Sequence, residues 1–170
     1  MAAPIVITVL AYLHIMSAIS WLGASLFFVL ILGPGLRSLT PPTSLEFFAK
    51  IGSKAPRFFV GSSTLTVVFG LLLLYFVLDG DFSLLSTTSF GTTISIGLTL
   101  GLIAYLEAAI LTGPKFSKAA KLANELMKNP PQGPSAELIE LQKKGGLSAI
   151  IGTIILVFAA LFMVAAAFPF

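Results

Sequence analysis

The chain has 170 residues, of which 56% are hydrophobic and 10% are charged, and its formal net charge is +3. Soluble domains carry about 25% charged residues, so these values, with a mean hydropathy of +1.01, argue against an ordinary water-soluble domain. Cysteine is absent, which excludes disulfides, thiolate metal sites and cysteine nucleophiles together.

Four apolar stretches are long enough to cross a bilayer, which takes about 20 helical residues. They run from about 4 to 32, 57 to 78, 91 to 111 and 147 to 168. The first has no basic start and is too long for a cleaved signal peptide, so we expect a retained helix. The chain is therefore predicted to form one transmembrane domain over residues 1–170. Its predicted fold is all-α, an antiparallel four-helix transmembrane bundle with short amphipathic cytoplasmic helices.

The first connection contains prolines that predict two turns and one short helix. Pro34 and the pair Pro41-Pro42 should each turn the chain. Thr43 or Ser44 should then cap a helix, because a hydroxyl oxygen accepts a hydrogen bond from a free backbone amide.

The third connection begins with GPKFSKAAKLANELMK at 113–128, which combines an apolar face with lysines. This pattern fits a helix at the membrane interface and equally fits a cytoplasmic extension of the third span. The run NPPQGP at 129–134 should end this helix, and Ser135 should cap the next one, which is expected to continue through Lys144.

All ten Lys and Arg residues lie in the first and third connections, whereas the only charged residues of the second connection are Asp79 and Asp81. The positive-inside rule therefore predicts cytoplasmic first and third connections and places both termini outside. Cations at this face predict the lipid bilayer as a partner, with its anionic head groups at the cytoplasmic side. The same placement argues against nucleic-acid binding.

His14 and Glu107 are the two clear cases of an ionisable residue inside the predicted spans. Hydrocarbon makes such side chains costly, so each is a functional candidate by default. Glu107 is a candidate proton relay, or a partner for a cation or a cofactor. Its structural alternative is a neutral acid bonded to a hydroxyl of the second span, such as Ser62, Ser63 or Thr66.

One face of the first span carries several residues that differ from ordinary lipid-facing side chains. They follow helical spacing and are His14, Ser17, Ala18, Trp21, Ser25 and Phe28. Small residues on this face let a flat molecule or another helix approach closely. The pattern therefore fits a cofactor site, and it also fits a helix–helix seam in which His14 bonds a neighbouring carbonyl.

The segment LHIMSAISWLGASLFFVLILGPGL at 13–36 resembles the first helix of a family of small four-helix membrane proteins. This family includes the copper-resistance D-type proteins and the HemJ-type protoporphyrinogen oxidases. TVVFGLLLLY at 66–75, GPKFSKAAKL at 113–122 and the final Pro169-Phe170 resemble further parts of it. The resemblance implies a prokaryotic plasma-membrane protein in which His14 ligates the iron of haem b.

The resemblance leaves the second axial ligand open. The chain has no other histidine, so the iron is five-coordinate, or a thioether binds it, or two chains each lend His14 to one shared haem. Of the methionines in the spans, Met163 is preferred, because Met16 points about 200° away from His14 on the same helix. Ser17 and Trp21 are expected to lie beside the cofactor.

The chain departs from the HemJ-type pattern at the start of the third span. Those enzymes have a lysine where this chain has Ile96, Gly97 and Leu98, so the resemblance leaves enzymatic activity as a membrane oxidoreductase open. The leading prediction is a b-type haem-binding membrane protein for electron transfer or haem-linked redox chemistry. The alternatives are a non-catalytic subunit or scaffold of a larger membrane complex, and a small permease that uses Glu107. Partners would be a second copy of the chain or other subunits.

Overall fold

The computed structural model describes residues 4–52, 54–129 and 135–168. All regular secondary structure in these residues is helical, and the helices are α1 (Pro4–Arg37), α2 (Pro41–Ile51), α3 (Lys54–Val77), α4 (Leu84–Thr87), α5 (Ser89–Lys128) and α6 (Ala136–Ala167). Of these, α1, α3, α5 and α6 are long and apolar enough to cross a membrane. An all-α chain with four such helices is thereby confirmed. The expectations for residues 130–134, Pro169 and Phe170 lie outside the described residues.

Two long helices extend well past the predicted spans, and each does so through a π turn. In α1 the π turn is Phe28–Leu32, and in α5 it is Glu107–Thr112. Each is followed directly by Gly-Pro, which is Gly33-Pro34 in α1 and Gly113-Pro114 in α5. Proline lacks an N–H and its ring clashes with the carbonyl four residues earlier, and the wider π turn accommodates both effects within a helix.

Pro34 therefore does not turn the chain as expected, and α1 continues to Arg37. The segment 113–128 continues α5 and is not a separate helix.

The long helices associate in two pairs, α1 with α3 and α5 with α6. The contacts that mark the pairs are His14–Gly70 and Phe28–Phe59 in the first, and Gly97–Met163 and Glu107–Ser148 in the second. Burial is low, since only 11% of the most apolar stretch of α1 and 28% of that of α6 are buried. Water does not tolerate such large apolar surfaces, whereas lipid does.

A compact group of helices, here termed the basic cap, covers one end of the pairs. It consists of α2, residues 113–128 of α5 and residues 136–144 of α6. Its core contains Phe48 and Ala49 of α2, Ala119 and Ala123 of α5, and Leu138 of α6. An amide hydrogen bond from Asn124 Nδ2 to the carbonyl of Ala49 (3.3 Å) fixes α2 on α5.

The two predicted helix caps have different outcomes. Ser135 caps α6 as expected, because its Oγ accepts a hydrogen bond from the N–H of Leu138 at 3.3 Å. The prediction for α2 is wrong, since α2 begins at Pro41 with Thr40 as its N-cap residue. Proline at a first helical position has no N–H to satisfy and a suitable φ, so neither Thr43 nor Ser44 caps this helix. Helix α6 also runs past Lys144 to Ala167 without a break.

Candidate functional site

Glu107 is the first residue of the π turn in α5, and its carboxyl group is held by two hydroxyls. Oε1 accepts hydrogen bonds from Thr112 Oγ1 at 2.6 Å and from Ser148 Oγ at 2.5 Å. Thr112 lies five residues later, and a π turn brings residues at this spacing to one side of the helix. Ser148 is buried and belongs to α6. The π turn and the α5–α6 pairing together position this carboxyl.

The hydroxyl partners predicted for Glu107 were wrong. Ser62, Ser63 and Thr66 each donate a hydrogen bond to a backbone carbonyl of their own helix, α3, at 3.2, 3.0 and 2.8 Å. The carboxyl group faces α6, with which α5 pairs along its length. The hydroxyls that serve it therefore come from α6 and from the π turn.

Ser148 also accepts a hydrogen bond from a cationic side chain, that of Lys115. Lys115 Nζ donates to Ser148 Oγ at 3.3 Å, and Lys115 is the third residue of the cap segment 113–128. A hydroxyl both donates and accepts, so Ser148 links the ammonium group of Lys115 to the carboxyl group of Glu107. This chain of polar groups runs from the basic cap into the apolar part of the protein.

Gly152 makes room for the other carboxyl oxygen. A Cβ atom placed on Gly152 would overlap Glu107 Oε2 and approach its Cδ to 3.0 Å. Gly152 lies one turn after Ser148 on α6, so both residues face the carboxyl group. The hydroxyl of Ser148 binds the carboxyl group of Glu107, and Gly152 leaves the space that this group occupies.

The carboxyl group lies in the wall of a cavity of about 60 Å³ to which all four long helices contribute. Its walls are mainly apolar, with the aromatic side chains Trp21, Phe28, Phe59 and Phe116. Among the described residues that line it, Glu107 is the only ionisable one. A cavity needs about 10–15 Å³ to hold one water, so this one is large enough to admit water.

His14 occupies the seam between α1 and α3. Its Nδ1 lies 2.9 Å from the carbonyl oxygen of Thr66, and a carbonyl only accepts, so Nδ1 carries a proton. The ring packs on Gly70, where an added Cβ would come within 2.8 Å of His14 Cε1. This is the helix–helix seam that the sequence left as one of two alternatives for His14.

The residues predicted to hold haem are distributed over three places. Trp21 is 3% exposed and lines the cavity beside Glu107, and Ser17 donates to the carbonyls of Leu13 and His14 on its own helix. Met163 packs against Gly97 in the α5–α6 seam. Neither His14 nor Met163 lines the cavity, so the described residues bring together no pair of axial ligands. They also contain no group of three or more acidic or histidine side chains placed to hold a metal ion.

Comparisons of the chain with protein-family models, with curated proteins and with solved structures find no match. The resemblance to the copper-resistance D-type and HemJ-type proteins stays an expectation from sequence motifs. Function is therefore argued from the site, since a fold alone does not specify one.

Proposed function

We propose that the protein is a small membrane permease for protons in which Glu107 binds and releases the proton. One observation carries this proposal: the carboxyl group of Glu107 lies in the wall of the four-helix cavity and is bonded there by two hydroxyls. An ionisable side chain within an apolar span costs stability, so its presence there is a functional hypothesis by default. The two hydroxyls hold the carboxyl group in one position.

The surroundings of the carboxyl group differ on its two sides. Oε1 bonds Thr112 and Ser148, and through Ser148 it connects to Lys115 at the basic cap. Oε2 lies beside Gly152, a residue that also lines the cavity. Lys115 donates to Ser148 and Ser148 donates to Oε1, so Lys115 can pass a proton through this hydroxyl to the carboxyl group and regain one from water at the basic cap.

Proton transport into liposomes tests this proposal. Liposomes that contain the purified protein and an enclosed pH-sensitive dye should acidify faster than empty liposomes when an inward proton gradient is imposed. Glu107→Gln keeps the shape of the side chain but cannot titrate, so it should lower the protein-dependent rate by about a hundredfold, a typical contribution of a positioned proton-transfer group.

Glu125→Gln is the matched control, because Glu125 is an exposed acidic residue of the same helix that does not line the cavity. This variant should transport protons at the wild-type rate. Equal rates for wild type and Glu107→Gln would contradict the proposal and assign Glu107 a structural role.

We further propose that the bundle is antiparallel, with the basic cap in the cytoplasm and both termini outside. The contact residues support the first point, because Gly70 and Phe59 follow the order opposite to that of their partners His14 and Phe28. The placement of all ten Lys and Arg residues in two connections supports the second. An impermeant thiol reagent should label a cysteine at Ser83 from outside intact cells and one at Ala136 only after lysis. External labelling at both positions would refute the orientation.

Haem b binding at His14 is a second candidate, and one observation favours it. The hydrogen bond from Nδ1 to the Thr66 carbonyl leaves Nε2 as the nitrogen that would bind a metal, and histidines that ligate metals commonly have this arrangement. When bound, haem would supply one-electron redox chemistry. A Soret absorption band from protein expressed with haem available is the result that this candidate requires, and colourless protein would refute it.

A further inference from the structure

A lateral groove runs between α1 and α3 at the level of the first π turn. It is open to the outside and has a volume of about 310 Å³, which is within the range of small-molecule sites, roughly 300–1,000 Å³. Phe27 and Phe58 line it and are each 53% exposed, so the groove opens outward from the helix pair. Phe28, Ala55 and Phe59 form its inner wall and also line the cavity that contains Glu107.

The groove is apolar except at one end, where Lys54 begins α3. Lys54 is the only charged residue among the described residues that line it, and it is exposed. Arg57 is exposed as well and lies three residues later, so both cations project from neighbouring positions on α3. No carboxylate among the described residues forms an ion pair with either of them.

We propose that this groove binds one anionic phospholipid, with an acyl chain along the apolar walls and the head group at Lys54. The charge at the groove's end selects the head group, because a basic residue near a membrane surface attracts anionic lipid. The apolar walls select the chain, because burying hydrocarbon is favourable and the groove has no polar wall to satisfy. Both features lie where α3 begins beside the basic cap, and we expect lipid head groups at this end of the helices.

Competition between two lipids tests the site. The purified protein is exchanged into detergent containing equal amounts of phosphatidylglycerol and phosphatidylcholine with identical chains, and retained lipid is counted by native mass spectrometry. Wild type should retain one phosphatidylglycerol in preference to phosphatidylcholine. Lys54→Gln should reduce that preference about fivefold, which corresponds to about 1 kcal/mol for one basic residue at an anionic surface. Lys54→Arg should retain it.

Two controls separate this site from general attraction to the basic cap. Lys121→Gln removes the same charge from an exposed position of α5 that does not line the groove, and it should leave retention unchanged. Ala24→Leu fills the groove without changing charge, so it should reduce retention of both lipids. Equal losses in Lys54→Gln and Lys121→Gln, or full retention in Ala24→Leu, would overturn the proposal. A protein dimer that excludes lipid from the groove, seen in the same spectra, would overturn it as well.

Discussion

Replacing Gly152 with alanine is expected to lower proton transport about tenfold to a hundredfold, although the carboxyl group of Glu107 remains. The reason is that hydrogen bonds to a charged group are worth ~1.5–3 kcal/mol, and the substitution displaces them. The added Cβ would overlap Oε2, so the carboxyl group must rotate away from Ser148 and Thr112. The end of a glutamate side chain moves readily, and alanine favours helix over glycine by up to ~1 kcal/mol. Function should therefore fall much more than stability does.

Gly146→Ala is the matched control for this change. Gly146 lies on the same helix, and nothing approaches within 4 Å of a Cβ atom placed there. Transport by this variant in the liposome assay should equal that of wild type. Normal transport by Gly152→Ala would show that the position of the carboxyl group does not matter, which contradicts a positioned relay.

Gly91→Ala is expected to cause a large loss of stability, because the new Cβ would meet rigid backbone. It would overlap the carbonyl oxygen of Leu84 and lie 2.6 Å from the Cα of Leu85. At this point α4 folds back on the first turn of α5, and the N–H of Gly91 bonds the cap residue Thr88 at 2.9 Å. Overpacking of this kind costs ~1–3 kcal/mol, and the midpoint of thermal unfolding in detergent should fall accordingly.

The control for Gly91→Ala is Gly101→Ala on the same helix, where the space around an added Cβ is open. The helix preference of alanine should leave this variant as stable as wild type or up to ~1 kcal/mol more stable. If both variants unfolded at the wild-type midpoint, α4 would not pack closely on α5.

Features set by local chemistry were predictable from the sequence. Four long helices follow from the length of the apolar runs, and the Ser135 cap follows from a hydroxyl placed ahead of a helix. Pro34 was misread as a turn because proline usually ends a helix. The clue was that Gly-Pro recurs after similar apolar residues, as ILGP at 31–34 and ILTGP at 110–114. The repeat indicates that both segments adopt the same backbone conformation, which a rule applied to one proline at a time does not detect.

The partners of Glu107 could not be predicted, because they depend on which helix lies beside α5. Sequence neighbours suggested hydroxyls of the second span, whereas the carboxyl group bonds Ser148 of α6. A signal was present in α6, where Ser148 and Gly152 are four residues apart and place small side chains on one face. The seam contact of His14 likewise depends on Gly70, a residue of another helix.

The wall formed by Phe28, Ala55 and Phe59 separates the lateral groove from the Glu107 cavity and belongs to both. If a molecule in the groove moved this wall and so altered the surroundings of Glu107, its binding would be linked to the protonation of the carboxyl group. Thermodynamic reciprocity then requires protonation to change the affinity of the groove by the same factor. The two sites would respond to each other across three side chains, and the composition of the surrounding bilayer would set how readily the protein accepts a proton.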